Sequence, residues 1–334
     1  MKVVINGSAG GAGWPESGCL CASCARVAHL VHRPLEIVVD ELLRLPGEGA
    51  PPGFETVETS EGLSVTGQDG ARLLLAGPGP YGTSTPYDVV ILDVLDRPER
   101  LGELRRSGLV GPGTHVVAAG FDHRVPSPGE LARRAKLWGV RVAADGMVID
   151  SSLPAPQAEP QPRRTLLLGG SRSGKSAEAE LRLAGEPYVT YVATGPSGGD
   201  DPEWRRRVAE HRGRRPGHWE TVESTDLVPL LRQAEGALMI DGLGTWVAAV
   251  FDECGAWEGS TAGVAERCAE LVRAWRGARA RVVAVSDEVG SGVVPATSSG
   301  RRFRDALGRL NQAIAAESDE VALVVAGRLT PLPV

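Results

Sequence analysis

Lysine is almost missing from this chain. Of 36 Lys plus Arg in 334 residues, three are lysines, Lys2, Lys136 and Lys175, so each is a rare choice in an Arg-biased sequence. Long apolar runs are missing too. No stretch reaches the ~18 uninterrupted apolar residues of a membrane span, and none is expected. The opening "MKVVINGSAGG" is strand-like and then Gly-rich, without a charged region ahead of a long apolar core, so no secretory leader is expected. Cysteines are few: Cys19, Cys21, Cys24, Cys254 and Cys268. An odd number with three clustered makes a poor disulfide framework and suits a reducing cytoplasm. Positive charge is not in excess. The net charge of −6 argues against a dedicated nucleic-acid binder, although local basic runs exist. What is there suits a soluble globular protein: 42% hydrophobic residues can bury cores, 23% charge is ordinary, and the length suggests two domains.

The boundary falls in "SSLPAPQAEPQPRR", residues 151–164, where closely spaced prolines and few bulky apolar residues favour an extended linker. It separates residues 1–150 from residues 165–334. On the N-terminal side, strand candidates recur at Val3–Ile5, Leu73–Leu75, Val89–Leu92, Val116–Ala119 and Val140–Ala143. "TGQDGA" reads as a hairpin turn, and Glu130–Gly139 as a helix with Ser127 as candidate N-cap. On the C-terminal side, apolar strands at Thr165–Leu168, Tyr188–Ala193, Ala237–Ile240, Val282–Val285 and Val321–Val325 alternate with helical stretches such as Thr261–Arg276 and Arg301–Ala316. That alternation predicts an α/β fold with a parallel sheet covered on both faces.

Lys175 lies in "LLLGGSRSGKSAEAE". Gly169, Gly170, Ser171, Arg172, Ser173, Gly174, Lys175 and Ser176 match G-x-x-x-x-G-K-[ST], after a strand and before a helix. Glycines let backbone N–H groups turn inward around a phosphate, and the helix start adds a positive dipole. Lys175 is placed to reach β- and γ-phosphates and Ser176 to ligate Mg²⁺. Asp241, ending the strand of "ALMIDGLGTW", is the expected second Mg²⁺ ligand. "EWRRRVAEHRGRRPGHWETVE" gathers six arginines around His211 and His218. Arginines pair well with phosphate oxygens and disfavour imidazolium, so a histidine there tends to stay neutral and nucleophilic. Composition does not choose between the two histidines.

From Thr165 to about Pro333 the chain resembles the bifunctional adenosylcobinamide kinase/adenosylcobinamide-phosphate guanylyltransferases. The blocks "LLLGGSRSGKSAEAE", "YVTYVATG", "RRRVAEHRGRRPGHWETVE", "MIDGLGTWV", "VVAVSDEVGSGVVP" and "GRRFRDALGRLNQAIAAESDEVALVVAG" run in that family's order. The resemblance implies a P-loop fold and two steps: phosphorylation of adenosylcobinamide by ATP or GTP, then transfer of GMP from GTP through a covalent histidine adduct. It assigns the adduct to His211, because Arg212, Arg215, Pro216, Trp219, Thr221 and Glu223 then fall in register, with Arg212 and Glu223 in the nucleotide site. It also implies a corrinoid partner and a possible homo-oligomer. The chain departs from the family's S-N-E-V-G at Asp287, which adds charge and removes an amide donor, and from its G-M-G at Ser291; Glu288 is a weaker site candidate. The alternatives are a guanylyltransferase without the kinase step, or a nucleotide-gated scaffold, which has no need of His211 in its full block.

"GWPESGCLCASCARV" places Cys19, Cys21 and Cys24 within six residues, enough to wrap a soft cation such as structural Zn²⁺, which takes four ligands. His123 is the expected fourth, with His115 and His29 as alternatives. The N-terminal segment resembles a shortened metallo-β-lactamase fold through "NGSAGGAGWPESGCLCASC" and the stretch from "YDVVILDVLDRPERL" to "GVRVAADGMVI". Relatives on its phosphodiesterase branch often carry zinc at such a loop. The hydrolytic H-x-H-x-D-H motif is absent, so the expectation is a catalytically degenerate domain that keeps its structural metal.

Overall fold

The computed structural model describes residues 1–47, 49–195, 206, 209, 213 and 215–333. The chain separates into two compact units: Met1–Pro160 with Ala184–Pro187, and Gln161–Leu183 with Tyr188–Val334.

The first unit carries two sheets. One is antiparallel, in the order β10-β1-β2-β3, from β1 (Lys2–Gly7), β2 (Glu36–Val39), β3 (Leu43–Leu45) and β10 (Met147–Asp150). The other runs β4 to β9 in sequence order: β4 (Glu55–Thr59), β5 (Gly62–Thr66), β6 (Arg72–Ala76), β7 (Val89–Leu92), β8 (His115–Ala118) and β9 (Arg141–Val142). Its first three strands pair antiparallel and its last four parallel. The hairpin turn expected at "TGQDGA" joins β5 to β6. Asp69 Oδ1 accepts the Ala71 N–H at 3.0 Å, and Gly70 supplies the left-handed residue at φ 76°. Helices α1 (Ala22–Arg26), α2 (Arg100–Arg106) and α3 (Pro128–Trp138) complete the unit. The Ser127 hydroxyl accepts the Glu130 N–H at 3.2 Å, as read from sequence, with Pro128 opening α3 and Gly139 closing it at φ 64°.

The second unit is one seven-stranded sheet in the order β13-β12-β14-β15-β11-β16-β17. Its strands are β11 (Arg164–Gly169), β12 (Val189–Ala193), β13 (Glu220–Glu223), β14 (Ala237–Asp241), β15 (Val282–Asp287), β16 (Glu320–Val325) and β17 (Arg328–Leu332). All neighbours are parallel except β17 on β16. The helices that accompany them include α4 (Lys175–Leu183), α5 (Leu227–Gln233), α6 (Leu243–Glu253), α7 (Ala262–Gly277) and α8 (Ser298–Ala315). Both faces are buried, with the period of two a strand dictates. Leu166, Leu168, Val282 and Ala284 join a core with α5 to α8, whereas Leu167, Val283 and Val285 join one with Ala179 and Leu183 of α4. That is the covered parallel sheet expected from continuous apolar strands. The linker expectation needs one correction: Arg164 belongs to β11, where its N–H and guanidinium are both held by Asp319 at 2.8 Å. No described helix is long and apolar enough to cross a membrane.

Candidate phosphate site and a cysteine cluster

The apolar run of β11 ends where the chain must turn tightly, and at Gly169 its surroundings leave no room for a side chain. A Cβ on Gly169 would stand 2.5 Å from Ser173 Oγ and 2.6 Å from the Val324 carbonyl. Gly174 adopts φ 99°, and Arg172 also has positive φ, at 58°. The loop is tied at its far side, where Gly327 N–H donates to the Ser173 carbonyl at 2.8 Å. Its crest, Gly170, Ser171 and Arg172, is exposed, and α4 starts at Lys175. The glycine-containing loop thus leads directly into the start of α4, the place in a fold where an anion is favoured. α4 is anchored behind the loop by Arg182, 2% exposed, which grips both Glu320 oxygens at 2.6 and 2.7 Å and Glu178 at 2.9 Å.

The candidate side chains lie along the carboxyl edge of the sheet. Lys175 Nζ lies 2.8 Å from Asp287 Oδ1 and donates to the Gly170 carbonyl at 3.2 Å. The Ser176 hydroxyl donates to Asp241 Oδ1 at 3.2 Å. β15 lies between the strands that deliver these two residues, so the pairing is made by topology, not by chain proximity. Tyr191 of β12 donates its hydroxyl to Asp241 Oδ2. Burial, with the Asp241 charge beside it, raises the phenol's pKa well above its usual value. The Arg215 guanidinium stacks 3.4 Å over the Tyr191 ring centroid and donates to Thr221 Oγ1 at 3.2 Å. Glu288 Oε1 accepts the N–H groups of Gly290 and Ser291 at 2.7 and 3.2 Å, so it shapes its own loop. Glu223, exposed, ends β13, the edge strand.

Of the sequence-predicted residues, Gly169 to Ser176 and Asp241 therefore come together. His211 and Arg212, with Arg205, Arg207 and Arg214, lie outside the described residues; His218 is half-buried ahead of the buried Trp219. Two members of the row were not read from sequence. Tyr191 stands two residues before the end of an apolar strand, and a tyrosine so near the carboxyl edge was the available signal. Asp287 was noted only as a departure; its position at the end of β15, in register with Gly169, brings it to Lys175. The donors Ser176 and Asp241 are hard oxygens in contact, which suits Mg²⁺.

In the first unit, the ligand atoms of Cys19, Cys21, Cys24 and His123 all lie within 4.8 Å of one another. His123 Nδ1 is 3.7 Å from Cys19 Sγ, 3.9 Å from Cys24 Sγ and 3.0 Å from Glu16 Oε2. The Cys24 N–H donates to Cys21 Sγ at 3.4 Å, and that bond leads in lowering the Cys21 pKa to about 7. Burial instead pushes the Cys24 thiol up to about 11. Three sulfurs and one imidazole nitrogen are the donor set of a closed zinc site, and a cation would favour the thiolate of Cys24. The alternatives fare differently: His115 Nε2 is 2.9 Å from the Leu153 carbonyl, and His29 is not part of the cluster. His32 stacks on Trp14 with centroids 5.5 Å apart.

Residues 165–332 match the profile of the family described as cobinamide kinase / cobinamide phosphate guanyltransferase. Three curated proteins are similar. The bifunctional adenosylcobalamin biosynthesis protein CobP of Pseudomonas aeruginosa is 41% identical over 177 residues, 51% of this chain and 96% of that protein. The protein of the same description named CobU is 35% identical in Salmonella typhimurium, over 48% of this chain and 95% of that protein. Its Escherichia coli counterpart is 34% identical over the same shares.

Proposed function

Because the chain belongs to the cobinamide kinase / cobinamide phosphate guanyltransferase family, we propose that it phosphorylates adenosylcobinamide with ATP or GTP and then transfers GMP from GTP to the phosphate, releasing pyrophosphate. The observation that carries the reading is the contact of Ser176 with Asp241 beside a lysine at the loop's end. Lys175 would draw the β- and γ-phosphates and stabilise the charge that spreads over them during transfer. Ser176 and Asp241 would hold Mg²⁺, which supplies neutralising charge to the phosphates when bound. Tyr191 fixes the orientation of Asp241 from the other side. We assign the covalent role to His211, on the resemblance of its block, with Arg212 and Glu223 in the nucleotide site. Its neutral nitrogen attacks the α-phosphorus of GTP, pyrophosphate leaves, and the corrinoid phosphate then takes the GMP.

Cys19, Cys21, Cys24 and His123 would hold a structural zinc in an otherwise catalytically degenerate metallo-β-lactamase-like unit of residues 1–150, with residues 151–163 as linker and 164–334 as the transferase. A homo-oligomer and a cytoplasmic setting, where clustered thiols stay reduced, complete the proposal.

The test is incubation with α-labelled GTP and mapping of the labelled peptide. Wild type should carry an acid-labile, base-stable adduct on the peptide of His211, and His211→Ala should lose it while keeping part of the phosphorylation. Lys175→Ala should lower both activities by about 10²–10³-fold. A label that survives in His211→Ala moves the role to His218; no label in wild type under turnover removes the guanylyl-transfer reading.

A further inference from the structure

Among the described residues of the second unit, the large apolar side chains left exposed are Tyr188, Val293, Val294 and Val325. Tyr188 precedes β12 and stands at the amino edge of the sheet, whereas the other three belong to the carboxyl edge that carries the phosphate loop. Val325 ends β16, one residue beyond the carbonyl that crowds Gly169. Val293 and Val294 lie in the connection 288–297 between β15 and α8, and that connection is rooted in the site. It follows Asp287, whose carboxylate meets Lys175 at 2.8 Å, and the Glu288 N–H donates to the Gly169 carbonyl at 3.1 Å. Both of its ends are tied. Glu288 Oε1 accepts the N–H groups of Gly290 and Ser291, and Arg304 donates to the Gly290 carbonyl. At the far end Arg301 donates to the carbonyls of Pro295 and Ala296 at 2.9 and 2.7 Å, and Thr297 Oγ1 accepts the Gly300 N–H at 3.2 Å. Val293 and Val294 form the crest between these ties, 94% and 63% exposed. A cleft of about 480 Å³ opens at the root of the same connection, beside Leu168, Glu288, Gly290 and Gln312. Adjacent apolar side chains held out in water beside a site point to an apolar body that covers them.

We propose that Val293 and Val294 form an apolar lip on which the macrocycle of the corrinoid acceptor rests, with Val325 on the other side of the phosphate-loop strand. The inference rests on the transferase reading above and names acceptor contacts that the reading leaves open. Its ground is size and placement. One hydroxyl of the acceptor has to reach the nucleotide beside Lys175, and it belongs to a molecule many times its size. The macrocycle, rich in methyl and methylene groups, therefore lies on the rim around that point. The nucleotide asks for the opposite chemistry: its phosphates are met by backbone N–H groups, a lysine and hard oxygens, and a valine adds nothing to them. The lip thus serves the acceptor, and it acts through binding that is equal before and during transfer, which appears in the corrinoid KM and leaves kcat alone. A second copy of the chain is the other apolar body that fits the crest; the roots of the connection at Gly169 and Lys175 favour the acceptor.

The experiment compares wild type with the double variant Val293→Ser, Val294→Ser and with the conservative Val293→Leu, Val294→Leu. Each is assayed for cobinamide phosphorylation, for labelling from α-labelled GTP and for molar mass by light scattering, with melting temperature as the control for folding. In the serine variant the cobinamide KM should rise about tenfold or more, the order set by returning one covered valine to water. Its kcat, nucleotide KM and labelling should stay near wild type, and the leucine variant should keep the low KM. Val325→Ser should raise the same KM by a smaller factor. If the double variant does not fold, Val293→Ser alone, at the more exposed position, gives the same reading. An unchanged cobinamide KM in the folded serine variant overturns the proposal. So does a parallel loss of labelling, which would make the crest a support of the phosphate loop, and so does a fall in molar mass, which would make it a contact between copies. A wild type that labels with GTP yet phosphorylates no cobinamide removes the kinase step alone, and the lip is then read from the KM for cobinamide phosphate in guanylyl transfer. A wild type that does neither removes the transferase reading and this inference with it.

Discussion

The two units solve the problem of gathering chemical groups in opposite ways. In the second, one contiguous loop supplies backbone donors, a lysine and a hydroxyl, and a parallel sheet brings carboxylates to it from strands that all end at the same edge. In the first, the candidate ligands come from a short N-terminal loop and from His123, about a hundred residues later, between β8 and α3. A parallel sheet pools its strand ends by construction, so a site there tolerates distance in sequence. Unit one, whose sheets are antiparallel and mixed, has Cys19 and Cys21 ahead of the short helix α1 and Cys24 within it, outside either sheet, where a metal can supply the order that a ladder does not.

The comparison breaks most severely at Arg182. Its guanidinium is buried between Glu178 and Glu320, and removing it strands carboxylates beneath the phosphate-loop helix. Arg182→Met should cost about 3 kcal/mol or more in urea unfolding of the second unit, with no change in the metal content of the first. The next effect lies in the first unit. Chelation of zinc, or Cys24→Ser, should lower the first unit's unfolding free energy by about 3 kcal/mol at a hundredfold excess of metal over its Kd. Elemental analysis should give about one zinc per chain, and nucleotide binding should survive.

A smaller effect sharpens the contrast through pH. Asp145 accepts the Ser8 hydroxyl at 2.7 Å, the Ser8 N–H at 2.9 Å and the Arg33 N–H at 3.0 Å. Burial opposes its charge, but these bonds and the Arg33 guanidinium prevail and hold its carboxyl below the usual range. A lowered folded pKa contributes stability that is fully present above the unfolded value, near ~4, and lost as pH falls through the folded value. Asp145→Asn should therefore cost the first unit about 2 kcal/mol at neutral pH, and the gap from wild type should close as pH drops below ~4. The smallest effect belongs to Tyr191. Tyr191→Phe removes one hydroxyl from Asp241 while the other stays, and nucleotide affinity by calorimetry should fall about tenfold or less.

Some of this molecule was decided by the sequence alone. The candidate phosphate loop is contiguous, Gly169 is demanded by a crowded turn and Gly174 by its positive φ, and a strand and a helix flank it, so local chemistry named Gly169 to Ser176. The apolar strands of the second unit were legible because burial on both faces makes them continuous, and the TGQDGA turn and the Ser127 cap were legible because short-range hydrogen bonds form them. Edge strands escaped the reading. β4, β13 and β17 are short and largely exposed, and β2, β3 and β10 sit in a small antiparallel sheet without long apolar runs. Strand order alone decided the rest. With β15 set between β11 and β14, Asp287 ends beside Lys175 and Asp241 beside Ser176. Pairing in a sheet is chosen by the burial of whole faces, which no window of sequence contains, so a residue that looked like a departure became the lysine's partner only when the sheet was assembled.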